Sequence, residues 1–204
     1  MRTHYPDDMT MRAARDRYFE VNGFGKDGGY DDAWVDFKLG PIPMPFPNTA
    51  GRIKAVRFHD LHHILTGYDT NATGEFEISA WEIGAGCRSM PAAWVINMGG
   101  LASGTISAPK RIFGAFVRGR RSRTLYGETF EPLLERTVAE MRADHIGSAD
   151  RERANAGDVV AFVGTALLAV VVGLAFAAVM LPLVPVGLVA AWLRRRQATP
   201  SVSA

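Results

Sequence analysis

Three of the five histidines fall between His59 and His63, and Asp60 lies among them. On a helix, His59 and His63 sit four apart and share a face, and Asp60 sits three before His63 on the adjoining flank. Two imidazoles and a carboxylate at that spacing can converge on one cation. Imidazole nitrogen suits zinc or iron, and mixed nitrogen and oxygen donors also suit manganese. A divalent metal is therefore the expected cofactor, zinc ahead of iron or manganese. A fourth donor must come from another element. Glu75 opens the next predicted helix, after a loop long enough for an antiparallel return. Glu75, Ser79 and Glu82 share one face of that helix. Glu82 reads as a partner behind the ligands, as a second carboxylate of the site, or as a plain surface residue. Glu77 points away and is expected to be solvated. His62 lies about 100° around the helix from His63, so it is not counted as a ligand. It serves as the expected neutral control. His4 and His145 have no ligand-spaced neighbours, and Cys87 has no nearby base.

The elements that must carry these residues are mainly helical. Residues 10–21 read as a short helix and 22–29 as a Gly-rich turn. Residues 30–39 fit either a helix or a strand. Residues 41–47 alternate proline with apolar residues and must be extended, because each proline pushes its predecessor out of the helical region. Ala50–Thr66 reads as a helix that stops at Gly67. Residues 68–73 form a polar loop, and the second site helix runs from about Thr73 to Gly86. Gly99-Gly100 and Ser103-Gly104 are read as breaks in the next apolar stretch. Pro109 opens a helix to about Arg118. Residues 131–146 read as one amphipathic helix.

No charge occurs from Val159 to Leu193, and the stretch is mostly Val, Ala and Leu. About 20 apolar residues already cross a bilayer core. Pro182 and Pro185 are expected to break the run, which leaves a transmembrane or re-entrant helical segment. The expected organisation is a helical domain at 1–150 with a metal site, a linker at 151–158, the membrane segment at 159–193, and a basic then disordered tail at 194–204. Arg194, Arg195 and Arg196 against Asp158 account for the whole net charge of +2. The domain is thus electrically balanced, and nucleic acid is not an expected partner. Lys110, Arg111, Arg118, Arg120, Arg121 and Arg123 form the one basic cluster, read as a solvated face or a contact for anionic headgroups. A single cysteine excludes an intrachain disulfide framework. The N-terminus has no apolar core of the kind a secretory signal needs.

His59-Asp60-Leu61-His62-His63, the eleven residues 64–74 and then Glu75 resemble the signature of the coenzyme Q (ubiquinone) biosynthesis protein four family. Ile64-Leu65-Thr66-Gly67-Tyr68 and Gly74-Glu75 resemble its flanks. Arg120-Arg121-Ser122-Arg123-Thr124-Leu125-Tyr126, leading into Glu131-Pro132-Leu133-Leu134-Glu135-Arg136, is also similar to it. The resemblance covers roughly residues 10–146. It implies a helical, membrane-associated protein with a metal beside an apolar, lipid-holding cavity. His59, Asp60, His63 and Glu75 would be the ligands. It further implies ubiquinone or related prenyl-quinone synthesis, through oxidative C1 decarboxylation of a polyprenylated 4-hydroxybenzoate-type ring. The other implied role is a non-catalytic lipid-binding scaffold for quinone-biosynthesis enzymes. Expected partners are a prenyl-quinone precursor or other isoprenoid lipid, the membrane, those enzymes, and a second copy in a homodimer. The expected location is the cytoplasmic face of the inner or plasma membrane. The appended apolar tail departs from the family pattern, where membrane contact is peripheral.

Overall fold

Thr10 starts the first helix by accepting the Ala13 amide on its side chain, and Gly23 ends it in the left-handed region. In this computed structural model, which describes residues 5–35, 38–39, 42–43, 46–146 and 154–197, α1 spans Met11–Asn22. His4, residues 147–153, which include the first three of the expected linker, and residues 198–204 lie outside the described residues. Four two-residue strands follow, β1 Trp34–Val35, β2 Lys38–Leu39, β3 Ile42–Pro43 and β4 Phe46–Pro47. They pair antiparallel, β1 with β4 and β2 with β3. Of the proline-alternating segment, Ile42–Pro43 and Phe46–Pro47 are thus extended, and of the ambiguous residues before it Trp34–Val35 and Lys38–Leu39 are strand.

Two helices carry the candidate site. α2 is Ala50–Thr66, capped by Thr49 and closed by Gly67 at φ 73°. α3 is Ala72–Ala85, capped by the Asn71 side chain on the Gly74 amide. α4, Pro91–Ser107, runs straight through the four residues read as breaks. Gly100 and Gly104 serve approach rather than interruption, whereas a Cβ on Gly99 would meet nothing within 4 Å. A Cβ on Gly100 would sit 2.2 Å from Ser79 Oγ, and one on Gly104 2.6 Å from Phe76 Cβ. α5, Pro109–Arg120, meets the other side of α3 in the same way. A Cβ on Gly119 would lie 2.1 Å from the Trp81 carbonyl oxygen. Small residues let these backbones touch, so α3 is gripped from both sides.

The expected helix over 131–146 is two. α6 is Phe130–Leu134 and α7 is Val138–His145. Thr137 and Glu140 form a reciprocal capping box that restarts the chain. Glu77 is buried, not solvated, because Arg111 of α5 grips its carboxylate at 2.5 and 2.9 Å.

The apolar tail forms α8, Ala156–Met180, a 3₁₀ turn at Leu181–Leu183 holding Pro182, and α9, Val184–Gln197, with Pro185 in its first turn. Residues 156–175 are apolar and long enough to cross a membrane. The helix begins earlier than expected. Asn155 and Asp158 cap each other's amides, so the end of the expected linker is the start of α8. Asp158 is gripped by Arg120 and Arg121, and Phe162 packs on Phe113 and Phe116. The basic cluster is therefore largely engaged within the protein. Arg118 donates to the Thr66 carbonyl at 2.9 Å and lies over the Tyr68 ring.

Candidate metal centre

His59 and His63 rise from successive turns of α2, and Glu75 rises from the first turn of α3. Their donor atoms all lie within 4.8 Å of one another. The two Nε2 atoms are 3.1 Å apart, and each is 3.4 Å from a Glu75 carboxylate oxygen. His63 is buried, whereas the Glu75 side chain is 41% exposed, so the group opens to the surface on the Glu75 side.

The opposite ring nitrogens fix the tautomers. His63 Nδ1–H donates to the Tyr68 carbonyl at 3.0 Å. His59 Nδ1–H donates to Glu82 Oε1 at 3.0 Å, since a carboxylate oxygen can only accept. In the neutral rings both Nε2 lone pairs then point at each other and at Glu75. Without a metal, His59, whose pKa is raised, carries a proton on Nε2; once both imidazoles are neutral, two nitrogens and a carboxylate face one point with no hydrogen between them. Such an arrangement is repulsive unless a cation sits at that point. A carboxylate or carbonyl holding the far nitrogen is also the usual way a ligating histidine is oriented.

Glu82 is fully buried and holds this half of the site. Its Oε1 accepts from His59 Nδ1 and from His62 Nδ1 at 2.7 Å. Its Oε2 accepts from Tyr126 OH at 2.7 Å and from Asn97 Nδ2. Four donors fill the four lone-pair positions of an ionised carboxylate. Burial opposes the charge, but His59 and His62 overcome it and hold the carboxyl well below the usual range. Glu75 behaves likewise. Burial raises it, the two imidazoles lower it more, and it rests at about 2. For His59, burial lowers the value and the two glutamates reverse this, leaving it well above the ordinary 6.5.

Asp60 is buried on the same turn, but it lies outside the group of three. Its carboxylate accepts from Tyr30 OH. Burial pushes it up to about 6, against the pull of His59, Tyr30 and His63. His62 is off the ligand face as expected, yet it is no neutral bystander. It is fully buried between Trp81 and Tyr126. Its Nε2 accepts the Leu125 amide at 3.0 Å, so Nδ1 carries the proton given to Glu82. Substitution of His62 therefore leaves the three donors in place but removes a bridge inside the core. Cys87 is buried as a small apolar residue, and burial pushes its thiol up to about 12. His145 is buried and gives its Nδ1–H to the Arg123 carbonyl.

Asn97, Tyr126, Tyr30 and the Tyr68 carbonyl were not singled out from sequence. One signal was present: Asn97 is the one amide side chain in the charge-free stretch from Ser89 to Pro109. A cavity of about 240 Å³ lies between α1 and the α2–α3 loop, bounded by Tyr5, Tyr18, Asn22, His63, Tyr68 and Asp69 among others. Tyr18 stacks on His63 with ring centres 5.7 Å apart. The lining is mixed polar and aromatic, not the purely apolar surface that the family resemblance implies. Compared with family models, curated proteins and solved structures, the chain finds no match.

Proposed function

We propose that this chain is a metal-dependent protein of ubiquinone or related prenyl-quinone synthesis, held at the cytoplasmic face of a membrane by α8. The observation that carries the metal is the convergence of His59 Nε2, His63 Nε2 and Glu75, with both Nδ1 atoms tied back. Zinc fits this donor set best, and iron or manganese also fit it. Three protein donors are the count of catalytic rather than closed structural sites. This count favours the enzyme over the scaffold.

The proposed reaction is oxidative C1 decarboxylation of a polyprenylated 4-hydroxybenzoate-type ring: the ring–carboxyl bond breaks with loss of CO₂, water supplies the oxygen of the new ring hydroxyl, and dioxygen, a required co-substrate, takes the electron pair and leaves as hydrogen peroxide. A bound divalent metal supplies Lewis acidity to a ring carboxylate or phenolate. The chain's own residues do the rest. Glu82 and the Tyr68 carbonyl hold the two imidazoles in one tautomer and orientation. Glu75 brings negative charge that balances the cation and lies where the group opens outward. Tyr18, stacked on His63, lines a cavity whose size suits a ring and not a polyprenyl chain. The chain of the substrate would then stay in lipid. Asp60 would join the donors only by releasing Tyr30.

The test uses full-length protein in lipid nanodiscs, loaded in turn with zinc, iron(II) or manganese, and a carboxyl-labelled prenyl-hydroxybenzoate. Labelled CO₂ should be released, and Glu75→Gln should abolish the release. Stoichiometric metal with no turnover, while deletion in cells still stops quinone synthesis, would assign the scaffold role instead. Alkaline carbonate should leave the full-length chain in the membrane pellet. Extraction into the supernatant would remove the membrane part of the proposal.

A further inference from the structure

α4 has no charged residue, and none flanks it closely: from Ser89 to Pro109 the chain lacks Asp, Glu, Lys and Arg, with Arg88 and Lys110 at the two ends. Its inner side closes the core through Ala93, Asn97, Met98, Leu101 and Gly104. Its outer side is apolar and bare. Val95 is 38% exposed, Ile96 46% and Ile106 84%. Val95 and Ile106, three turns apart, share one row opposite the core, and Ile96 lies on its flank. Of the hydroxyls there, Ser103 is exposed, and those of Thr105 and Ser107 are consumed within the helix. Thr105 Oγ1 donates to the Leu101 carbonyl at 2.7 Å, and Ser107 Oγ to the Ser103 carbonyl at 3.0 Å. Such back-bonding is how hydroxyl residues are accommodated in hydrocarbon, where no water can serve them.

The direction of the helices adds an independent constraint. Asn97 meets Glu82, Gly100 meets Ser79 and Gly104 meets Phe76, so α4 runs antiparallel to α3. Arg111 meets Glu77 and Gly119 meets Trp81, so α5 runs parallel to α3. Asp158 meets Arg120 and Arg121, and Phe162 meets Phe113 and Phe116, so α8 runs antiparallel to α5. α8 therefore enters at the same end as α4 and runs the same way, packed against it. α4 is about 26 Å long at 1.5 Å per residue, against a hydrocarbon core of about 30 Å. A helix of that length packed along a membrane span shares its depth.

We infer that α4 is a second membrane-embedded helix, and that its Val95, Ile96 and Ile106 face contacts lipid acyl chains. The inference rests on the reading of α8 as a membrane helix. The domain is then sunk into the bilayer beside α8, not hung from it by a tether. One layer of helix, α4, separates α3 from that lipid face. Glu75, whose carbonyl oxygen lies 3.8 Å from a Cβ placed on Gly100, is held about one helix spacing, roughly 8–10 Å, from the embedded pair. An amphiphile dissolved in the bilayer could approach that level without crossing bulk water.

The experiment places a nitroxide on single cysteines in a full-length Cys87→Ala background, in vesicles of phosphatidylcholine with a minor share of phosphatidylglycerol. The sites are Ile106→Cys and Val95→Cys on α4, Leu167→Cys on α8 as the lipid reference, and Glu128→Cys as the aqueous reference. Collision with oxygen and with a water-soluble nickel chelate is measured at each. The α4 labels should match Leu167→Cys, with an oxygen-to-nickel ratio several-fold above that at Glu128→Cys. A lipid-like Leu167→Cys with water-like α4 labels overturns the inference and leaves α8 as a span. Water-like values at all sites overturn both. Shielding from both reagents, with dipolar broadening between labels, means a second copy of the chain covers the face, and this also overturns it.

Discussion

His59 gives its Nδ1–H to Glu82 at 3.0 Å, and that same carboxylate oxygen takes the Nδ1–H of His62 at 2.7 Å. One buried acid thus orients a candidate ligand and locks a core histidine. Glu82→Gln keeps the shape but turns half of the acceptor into a donor, facing Tyr126 OH and Asn97 or the two imidazoles. Breaking a buried charged pair costs roughly 3–5 kcal/mol, and losing the partner behind a metal ligand lowers affinity about 10–100-fold. Thermal melts and chelator competition with zinc should show both losses together. A variant with unchanged melting and unchanged affinity would leave Glu82 without this role.

His62 and His63 should separate stability from binding. His63→Ala removes a donor whose ring packs on Tyr18, His59 and the loop rather than in the core, so it should lose stoichiometric zinc and keep its helical circular dichroism. His62→Ala strands Glu82 and the Leu125 amide, so it should cost at least about 1–3 kcal/mol while still binding zinc one-to-one at low temperature. Equal loss of zinc in both variants would contradict the tautomer assignment.

Zinc binding should release a proton. The metal-free His59 titrates well above 6.5, so at pH 7 its Nε2 carries the hydrogen that relieves the cluster. A folded value above the unfolded one contributes stability that is complete below 6.5 and lost as pH rises through the raised value. For the metal the sign is opposite, since zinc must displace that proton. Affinity should climb about tenfold per pH unit near neutrality. Calorimetry in buffers of different ionisation enthalpy should count close to one proton at pH 7, and a count of zero would mean the site is already deprotonated.

Asp60 distinguishes the geometry from the family resemblance, which counts it as a ligand. Asp60→Asn can still accept from Tyr30 and leaves His59, His63 and Glu75 in place. Zinc stoichiometry should stay at one, with a smaller loss of affinity than in His63→Ala. Complete loss of zinc would show that Asp60 leaves Tyr30 to become a fourth donor.

Legibility followed the range of the interactions. Ala50–Thr66 and its Gly67 stop are set by local caps and periodicity and read directly from the chain, and the expected start of α3 near Thr73 lies one residue after the observed one at Ala72. So did the convergence of His59, His63 and Glu75, because one loop joins their helices. Glu77 was misread because its partner Arg111 is 34 residues away. His62 and Glu82 gain their roles from Asn97, Leu125 and Tyr126, which the sequence does not place beside them. The split between α6 and α7 was a local signal overlooked: Thr137-Val138-Ala139-Glu140 is a capping box, yet the apolar spacing ran across it. The glycines of α4 break a helix by propensity and permit contact by geometry, and only the position of α3 decides between these.

That last point has a matched test in α5. Gly114 and Gly119 are both helical, and both would gain helix propensity of about 1 kcal/mol as alanine. A Cβ at Gly114 meets nothing within 4 Å, whereas at Gly119 it would lie 2.1 Å from the Trp81 carbonyl oxygen and 2.8 Å from its carbon. Backbone cannot swing aside as a side-chain tip can, so α5 must move off α3. Overpacking of this kind costs about 1–3 kcal/mol. Trp81 is followed by Glu82, so the shift should also loosen His59 and lower zinc affinity. Gly114→Ala should melt at or above the wild-type temperature with unchanged zinc binding, and Gly119→Ala should fall in both. Equal behaviour of the two variants would show that α3 and α5 are not in backbone contact.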